Sequence, residues 1–340
     1  MSKKKKIVLI IVAVLVVIAV GLGGFYLSKL NLLQRGGQAD NGTVDDNDDA
    51  VIEEELDMEK ALDNLEWRNA VSADGEIYVD KNVLNIMLIG TDERSDNFNT
   101  NARGDSCMIL SLNKETGDAK LVSLERGMGF PILEGPYEGQ YDWLTHTFRY
   151  GGADLMMKEV RECLKVDVTH YVRVNFNTFQ KGIAAIGGID VKLTQAETDY
   201  INQKMLRYGG NTVTVGENHL DGYQAITYAR CRKIDSDWHR IERQRTVVQA
   251  AINQTKNLSI SEMNDLLNSV LPLVQTNLTN GEITGLLLMA PKFRGVTFEQ
   301  MTIPAEGTFG GMTGMGGRSL FAVDFNENSK ILRQFLYGVQ

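Results

Sequence analysis

The sequence predicts an α/β fold: a three-layer α/β/α sandwich with a mixed central sheet, preceded by one N-terminal transmembrane helix. Three observations predict it. The run from Ile7 to Leu27 is free of charge and follows a basic stretch, Lys3 to Lys6. From Leu84 onward, short apolar runs end at glycine or at polar turns, as buried strands do. Beyond residue 150, helical and alternating periodicities succeed one another, the pattern of a sheet covered by helices on both faces.

The N-terminal run comes first. About 20 apolar residues at ~1.5 Å each span the ~30 Å hydrocarbon layer. The lysines keep residues 1–6 cytoplasmic, so residues 7–27 cross and the remainder emerges outside. The competing reading is a cleaved signal peptide, for which Gly21 to Gly24 offer small residues. A signal core, however, runs only ~7–15 residues. Residues 28–80 read as an acidic extracytoplasmic linker or stalk, crowded with carboxylates from Asp40 to Glu59 and poor in aromatics. Residues 83–340 are long enough for one large catalytic domain.

Within that domain, Leu84 to Gly90 reads as a buried strand. Cys107 to Leu112 and Ala119 to Leu124 flank Lys114–Asp118 and predict an antiparallel pair around a glycine-containing loop. Ala153 to Leu164 carries a helical stripe, and His170 to Phe176 alternates like a strand. Asn177 is placed to cap a helix bearing Phe179, Ile183 and Ile186, closed by Gly187-Gly188. Ile189 to Leu193 is again a strand. Cys107, Cys163 and Cys231 form no CxxC pair, which excludes a zinc ribbon and argues against a disulfide framework. A net charge of −9 argues against a nucleic-acid partner.

Two constellations carry chemistry. At the tip of the first strand stands Gly90-Thr91-Asp92-Glu93-Arg94, and Ala102-Arg103-Gly104-Asp105-Ser106 leads into the second. Asp92 and Asp105 at adjacent tips would share a hard cation such as Mg2+, which takes few protein carboxylates alongside water and phosphate oxygens. Arg94 and Arg103 would grip phosphate. Turn aspartates and surface ion pairs are the plainer alternative. Arg126, after the third strand, falls on the same sheet edge if the hairpin forms.

The second constellation runs from Arg230 to Arg245. Arg230 and Arg232 end a helix begun by Asp221-Gly222, where cations complement the dipole. Asp235-Ser236-Asp237 offers a cap for the next helix, in which Arg240, Arg243 and Gln244 stand at i, i+3 and i+4. Their face continues as Val247, Val248 and Ala251. Arginines entering a core at a helix N-terminus oppose the macrodipole unless a polyanion binds there, and diphosphate is a suitable one. A network satisfied by Asp235, Asp237 and Glu242 is the alternative. A general acid or base is not evident: His239 adjoins the cluster, and His146, His170 and His219 share no ligand spacing.

Together these motifs resemble the LytR-CpsA-Psr family over most of residues 83–340. The resemblance rests on Asn85-Ile86-Met87-Leu88-Ile89-Gly90-Thr91-Asp92-Glu93-Arg94, Arg103-Gly104-Asp105-Ser106, Val122-Ser123-Leu124-Glu125-Arg126, Leu144-Thr145-His146 and Tyr150-Gly151-Gly152. Gly187-Gly188-Ile189-Asp190-Val191, Leu220-Asp221-Gly222, Tyr228-Ala229-Arg230-Cys231-Arg232 and Arg240-Ile241-Glu242-Arg243-Gln244-Arg245 extend it. The resemblance implies a membrane-bound transferase of a Gram-positive bacterium. It would move teichoic acid, capsule or a related glycopolymer from a polyprenyl diphosphate carrier to peptidoglycan, through an apolar groove for the lipid. It implies that Asp92 and Asp105 hold Mg2+ or Mn2+. Arg126, Arg230, Arg232, Arg240, Arg243 and Gln244 would surround the diphosphate, Asp237 would orient the arginines, and Arg94 and Arg103 would assist. Among these, Arg126, Asp237, Arg240 and Arg243 are the expected catalytic residues. The sequence departs from the family where Glu125-Arg126-Gly127 replaces Pro-Arg-Asp and where His239 replaces a glycine. A non-catalytic binder of lipid phosphate or wall polymer is the rival reading, separated by metal-dependent turnover. A transcription regulator would need the domain in the cytosol.

Overall fold

The structure, a computed structural model, describes residues 29–35, 62, 71–92, 98, 102–232, 234–255, 265, 268–293 and 298–339. The expected span, residues 7–27, and most of the expected stalk lie outside them. No helix among the described residues is long and apolar enough to cross a membrane.

In chain order the elements are β1 (Gln34–Arg35), β2 (Val83–Thr91), β3 (Ser106–Asn113), β4 (Ala119–Leu124), β5 (Gly129–Pro131) and β6 (Tyr141–Trp143). Next come α1 (Leu144–Leu164), β7 (Val168–Asn175), α2 (Phe176–Ala185), β8 (Ile189–Leu193), α3 (Gln195–Tyr208), β9 (Gly216–Leu220), α4 (Gly222–Ala229) and α5 (Asp237–Thr255). The last are β10 (Gln275–Thr276), α6 (Asn280–Phe293), β11 (Glu299–Ile303), β12 (Phe309–Thr313), β13 (Ser319–Val323) and α7 (Phe325–Tyr337).

A seven-stranded mixed sheet runs β1-β10-β7-β2-β3-β4-β11. β2, β3 and β4 are antiparallel neighbours, while β7 lies parallel to β2 and β11 parallel to β4. Period-two alternation feeds both faces. Ile86 and Leu88 of β2 pack into one core beside Ile183, Ile201, Ala225, Val247 and Leu286 of α2 to α6. Met87 and Ile89 enter a second core with Phe148 and Val160 of α1, Leu332 of α7 and Phe321 of β13. Two cores on opposite faces make the three layers, and explain why the central strands read as unbroken apolar runs.

This topology brings one set of strand tips together. Because β2 and β4 run against β3, the end of β2, the start of β3 and the end of β4 share an edge. The parallel strand β7 adds Asn175 there. That asparagine, rather than Asn177, caps α2: its Oδ1 accepts from the Thr178 N–H at 2.9 Å. The strand therefore ends one residue earlier, and Phe176 belongs to the helix.

Three further features differ from expectation. β8 pairs with β9 in a separate two-stranded sheet. Its alternation, with Ile189, Val191 and Leu193 buried and Asp190 and Lys192 exposed, is that of a ribbon covered on one face only. α1 begins at Leu144, nine residues before its stripe starts, and is kinked where Gly151 and Gly152 leave helical dihedrals. Finally, part of the segment read as linker is folded. β1 joins the sheet edge beside β10, and Leu30 and Leu33 are buried in the first core.

Candidate functional site

The convergent edge opens a cavity of about 320 Å³. Arg103, Asp105, Arg126, Arg230, Arg232, Arg240 and Gln244 line its polar end. An extended apolar wall continues from it, with Leu88, Met108, Val172 and Val174 from the sheet, Phe176 and Phe179 from α2, Ile226 from α4 and Val247 and Val248 from α5. Those wall residues were not assignable in the sequence, although Phe176 and Phe179 stand at i, i+3 beside the alternating Val172 and Val174.

Asp237 organises the cationic end. Ser236 starts α5: its carbonyl accepts from the Arg240 N–H at 3.2 Å and its hydroxyl from the His239 N–H at 3.4 Å. Asp237 thus occupies the first turn, where a carboxylate favours the helix dipole. Trp238 fixes that turn against Phe309 and Phe321, with ring centroids 5.7 and 6.2 Å away. Around Asp237 stand Arg240 at 2.7 Å, Arg232 at 2.8 Å and Arg126 at 3.6 Å. Burial raises the Asp237 pKa, but Arg240, a hydrogen bond from Glu125, Arg126 and Arg232 outweigh it, and the carboxyl is held below its ordinary range. Burial and the neighbouring Arg240 charge push Arg126 down to about 9, so it remains cationic at neutral pH. Guanidiniums that crowd one another around a single aspartate are charges arranged for an incoming anion.

Beside this ring lies the carboxylate pair. Arg103 donates to Asp92 from its backbone N–H at 3.0 Å and from Nε at 3.1 Å, and its Nε lies 3.9 Å from Asp105. Asp105 also receives the Thr145 hydroxyl at 3.4 Å and stands 3.7 Å from Arg126, while its carbonyl accepts from Arg240. Burial, and then the Asp92 charge, raise the Asp105 pKa against the pull of Arg103. No group of three or more His, Cys, Asp or Glu suited to a metal occurs among the described residues. Two adjacent hard carboxylates are nevertheless the donor set that Mg2+ uses when phosphate oxygens and water complete its shell.

The remaining expected residues divide. Arg230 stacks over Phe176 at 4.2 Å, and Gln244 Oε1 accepts from Ser106 at 3.0 Å. Arg243 does not line the cavity: it turns to Glu197 of α3 at 2.8 Å, to the Cys231 carbonyl at 2.9 Å and to Asp235. Residues at i+3 and i+4 are ~100° apart on a helix, enough to send Gln244 to the cavity and Arg243 behind it. Arg94 lies outside the described residues.

Two groups at the site had no functional reading in the sequence. Glu125 is 1% exposed, and its raised pKa, caused first by burial and then by Asp237, keeps it protonated. Asp142, fully buried, faces His146 Nδ1 at 3.0 Å, and His146 lines the cavity with Trp143 and Thr145. Their closeness in sequence, an aspartate four residues before a histidine across the turn from β6 into α1, was the available signal.

The chain is similar in sequence and in fold to known proteins. The model of the LytR_cpsA_psr family matches residues 48–335. A Bacillus mycoides (strain KBAB4) protein named polyisoprenyl-teichoic acid--peptidoglycan teichoic acid transferase TagU is 31% identical over 229 residues, covering 66% of this chain and 69% of its own length. Across the first curated relatives the matched stretch is 62–69% of their length, about two thirds. The solved structure of TagT bound to LIIa-WTA superimposes with a TM-score of 0.59 at 27% identity, covering 80% of this chain and 98% of that one. A second TagT structure, with bound octaprenyl pyrophosphate lipid, gives 0.56 at 26% identity, covering 79% and 100%.

Proposed function

This chain belongs to the LytR-CpsA-Psr family, and we propose that it transfers a glycopolymer from a polyprenyl diphosphate carrier to peptidoglycan at the outer face of the cell membrane. One observation carries the reading: the arginine ring around Asp237 and an apolar wall belong to the same cavity. A ligand that satisfies both ends must join a polyanion to a hydrocarbon, as a prenyl diphosphate does. Relatives named as teichoic acid transferases, and a neighbour holding octaprenyl pyrophosphate, point to the same chemistry.

The geometry supplies what phosphoryl transfer needs, which is mainly positioning and charge stabilisation. Arg126, Arg232 and Arg240, held in register by Asp237, meet the diphosphate oxygens. Arg230, stacked on Phe176, stands where the headgroup meets the apolar wall. The wall buries the isoprenoid, stabilising the complex by ~25 cal/mol per Å2 of apolar area. An acceptor hydroxyl attacks phosphorus, its O–P bond forms, the bond to the lipid phosphate breaks, and lipid phosphate leaves. In this reading Asp92 and Asp105 hold Mg2+ or Mn2+, which would neutralise phosphate oxygens. Arg103 would then move from the carboxylates toward phosphate. The reading also includes a single-pass anchor at residues 7–27 with the N-terminus cytoplasmic, supported by the Lys3–Lys6 charges and the length of the apolar run.

Purified full-length protein, given a synthetic polyprenyl diphosphate glycan, Mg2+ and a peptidoglycan acceptor, is expected to form the phosphodiester-linked product. Arg240→Ala removes a guanidinium that acts on developing charge, and should lower kcat ~10²–10³-fold. Wild-type protein that binds the lipid but never transfers it would leave only the binding-protein reading standing.

A further inference from the structure

The transfer requires a proton to leave the acceptor hydroxyl, and the arginine ring offers no base. Asp237 is committed to three guanidiniums and Glu125 is already protonated. Beside Arg126, however, lies a buried dyad. The Arg126 carbonyl accepts from the Thr145 N–H at 3.3 Å, which seats the first turn of α1 against the cationic end. The next residue, His146, is 2% exposed and is the histidine that lines the cavity among the described residues.

Its orientation is fixed from several sides. Nδ1 lies 3.0 Å from Asp142 Oδ2, the ring packs on Trp143 at 5.0 Å, and Nε2 makes no hydrogen bond among the described residues. Asp142 is itself fully buried and accepts from the Tyr150 hydroxyl at 2.5 Å and from the Trp143 N–H at 2.8 Å, with Arg318 at 3.5 Å. Burial raises the Asp142 pKa. The His146, Tyr150 and Trp143 hydrogen bonds reverse that and hold it below its ordinary range, so it is a carboxylate at neutral pH. A buried carboxylate at Nδ1 selects the tautomer with its proton on Nδ1 and leaves the Nε2 lone pair for the cavity.

We propose that His146 is the general base of the transfer, taking the acceptor hydroxyl's proton at Nε2 as that oxygen attacks phosphorus, with Asp142 as the positioning residue that fixes the tautomer and stabilises the imidazolium. The inference rests on the transferase reading above. The bonds balance: the hydroxyl O–H breaks as the O–P bond forms, the diphosphate P–O bond breaks toward the lipid phosphate, and the imidazolium returns its proton to solvent or to the leaving phosphate. The charged and titratable groups around the dyad are Asp142 of β6, Arg149 and Tyr150 of α1, Arg318 before β13, Arg126 after β4 and Asp105 before β3.

The test uses full-length protein with the synthetic polyprenyl diphosphate glycan and a peptidoglycan fragment. Single-turnover transfer and calorimetric binding of the lipid are measured together across pH. His146→Gln should lose at least ~10²-fold in transfer rate, keep lipid affinity within about twofold of wild type, and lack the fall in rate toward acid that a general base predicts for wild type. Added imidazole should restore part of the rate to His146→Ala. Asp142→Asn should lower the rate and alter the acid limb while lipid still binds. The proposal is overturned if His146→Gln transfers at the wild-type rate with the same acid limb while Arg240→Ala is impaired. It is equally overturned if His146→Gln loses lipid binding together with transfer and imidazole restores nothing, since the dyad would then be a structural pin. Absence of transfer by wild type and every variant would refute the transferase reading itself, and the dyad with it.

Discussion

At the residue scale the unusual member of the site is Glu125. It stands where the family pattern has proline, and it buries a carboxyl that ion pairs do not rescue. Its Oε2 accepts from the Gly127 N–H at 2.5 Å, and its carboxyl interacts with that of Asp237, which has to remain charged to hold its arginines. Two adjacent buried carboxyls cannot both ionise, and here the arginines decide that Asp237 does. Glu125 therefore retains its proton in the folded state above the pH at which an unfolded glutamate loses it. A folded state that binds more protons than the unfolded one loses stability as pH rises through that window. Glu125→Gln keeps the Gly127 bond through its carbonyl and can donate its amide to Asp237, yet has no proton to lose. The variant should match wild type near pH 4 and become more stable above pH 7, by on the order of 1–3 kcal/mol. Urea melts at the two pH values measure this, and equal stability of the two proteins at both would mean that Glu125 ionises freely. The sequence marked this position only as a departure. A neutral buried acid is a consequence of which residue lies opposite, and residue 237 is distant in the chain.

At the scale of elements, the antiparallel β3-β4 pair was legible because its apolar runs and glycine-containing loop are local signals. With Asp92 and Asp105 read at adjacent strand tips, it was enough to expect them on one edge with Arg126. The helical face carrying Arg240 and Gln244 was legible for the same reason. Arg243 was not, because its partners Glu197 and Asp235 belong to other segments. The apolar wall was hidden too, since lipid-facing and core-facing positions carry the same residue types. That wall depends on how closely α4 lies on α2, and Gly222 sets the distance. A Cβ on Gly222 would sit 2.4 Å from the Gln180 carbonyl oxygen, a backbone atom of α2 that cannot turn aside. Gly222→Ala must therefore move α4 off α2, carrying Ile226, Ala229 and Arg230 with it. Overpacking of this kind costs about 1–3 kcal/mol. The expected outcome is weaker prenyl diphosphate binding in calorimetry together with a lowered Tm. Unchanged affinity would mean that Ile226 and Ala229 do not define the lipid wall.

At the scale of the whole molecule, the domain is larger than its sequence outline. Leu30 and Leu33 fall in the short gap between the apolar run ending at Leu27 and the acidic stretch from Asp40, where no long periodic run marks them as core. Yet both are buried at 1% and 7% exposure, and β1 hydrogen-bonds along β10 at the sheet edge. Arg35 adds bonds to the Leu278 carbonyl and to Asn280, tying the segment to the start of α6. Residues 30–35 thus belong to the folded body although they fall within the stretch read as a stalk. Energetics makes the point testable. Burying a leucine side chain contributes roughly 1.5–3 kcal/mol, so the two together stabilise the fold by about 3–6 kcal/mol before the cost of ordering residues 29–35. Leu30→Asp combined with Leu33→Asp in the chain beginning at Ser28 should lower Tm by on the order of 10 °C, at ~2–4 °C per kcal/mol for a domain of this size. A chain beginning at residue 71, which lacks β1 altogether, should melt at a similarly reduced temperature. If both proteins melt with the parent, the segment is not part of the folded body and the stalk reading of residues 28–80 returns.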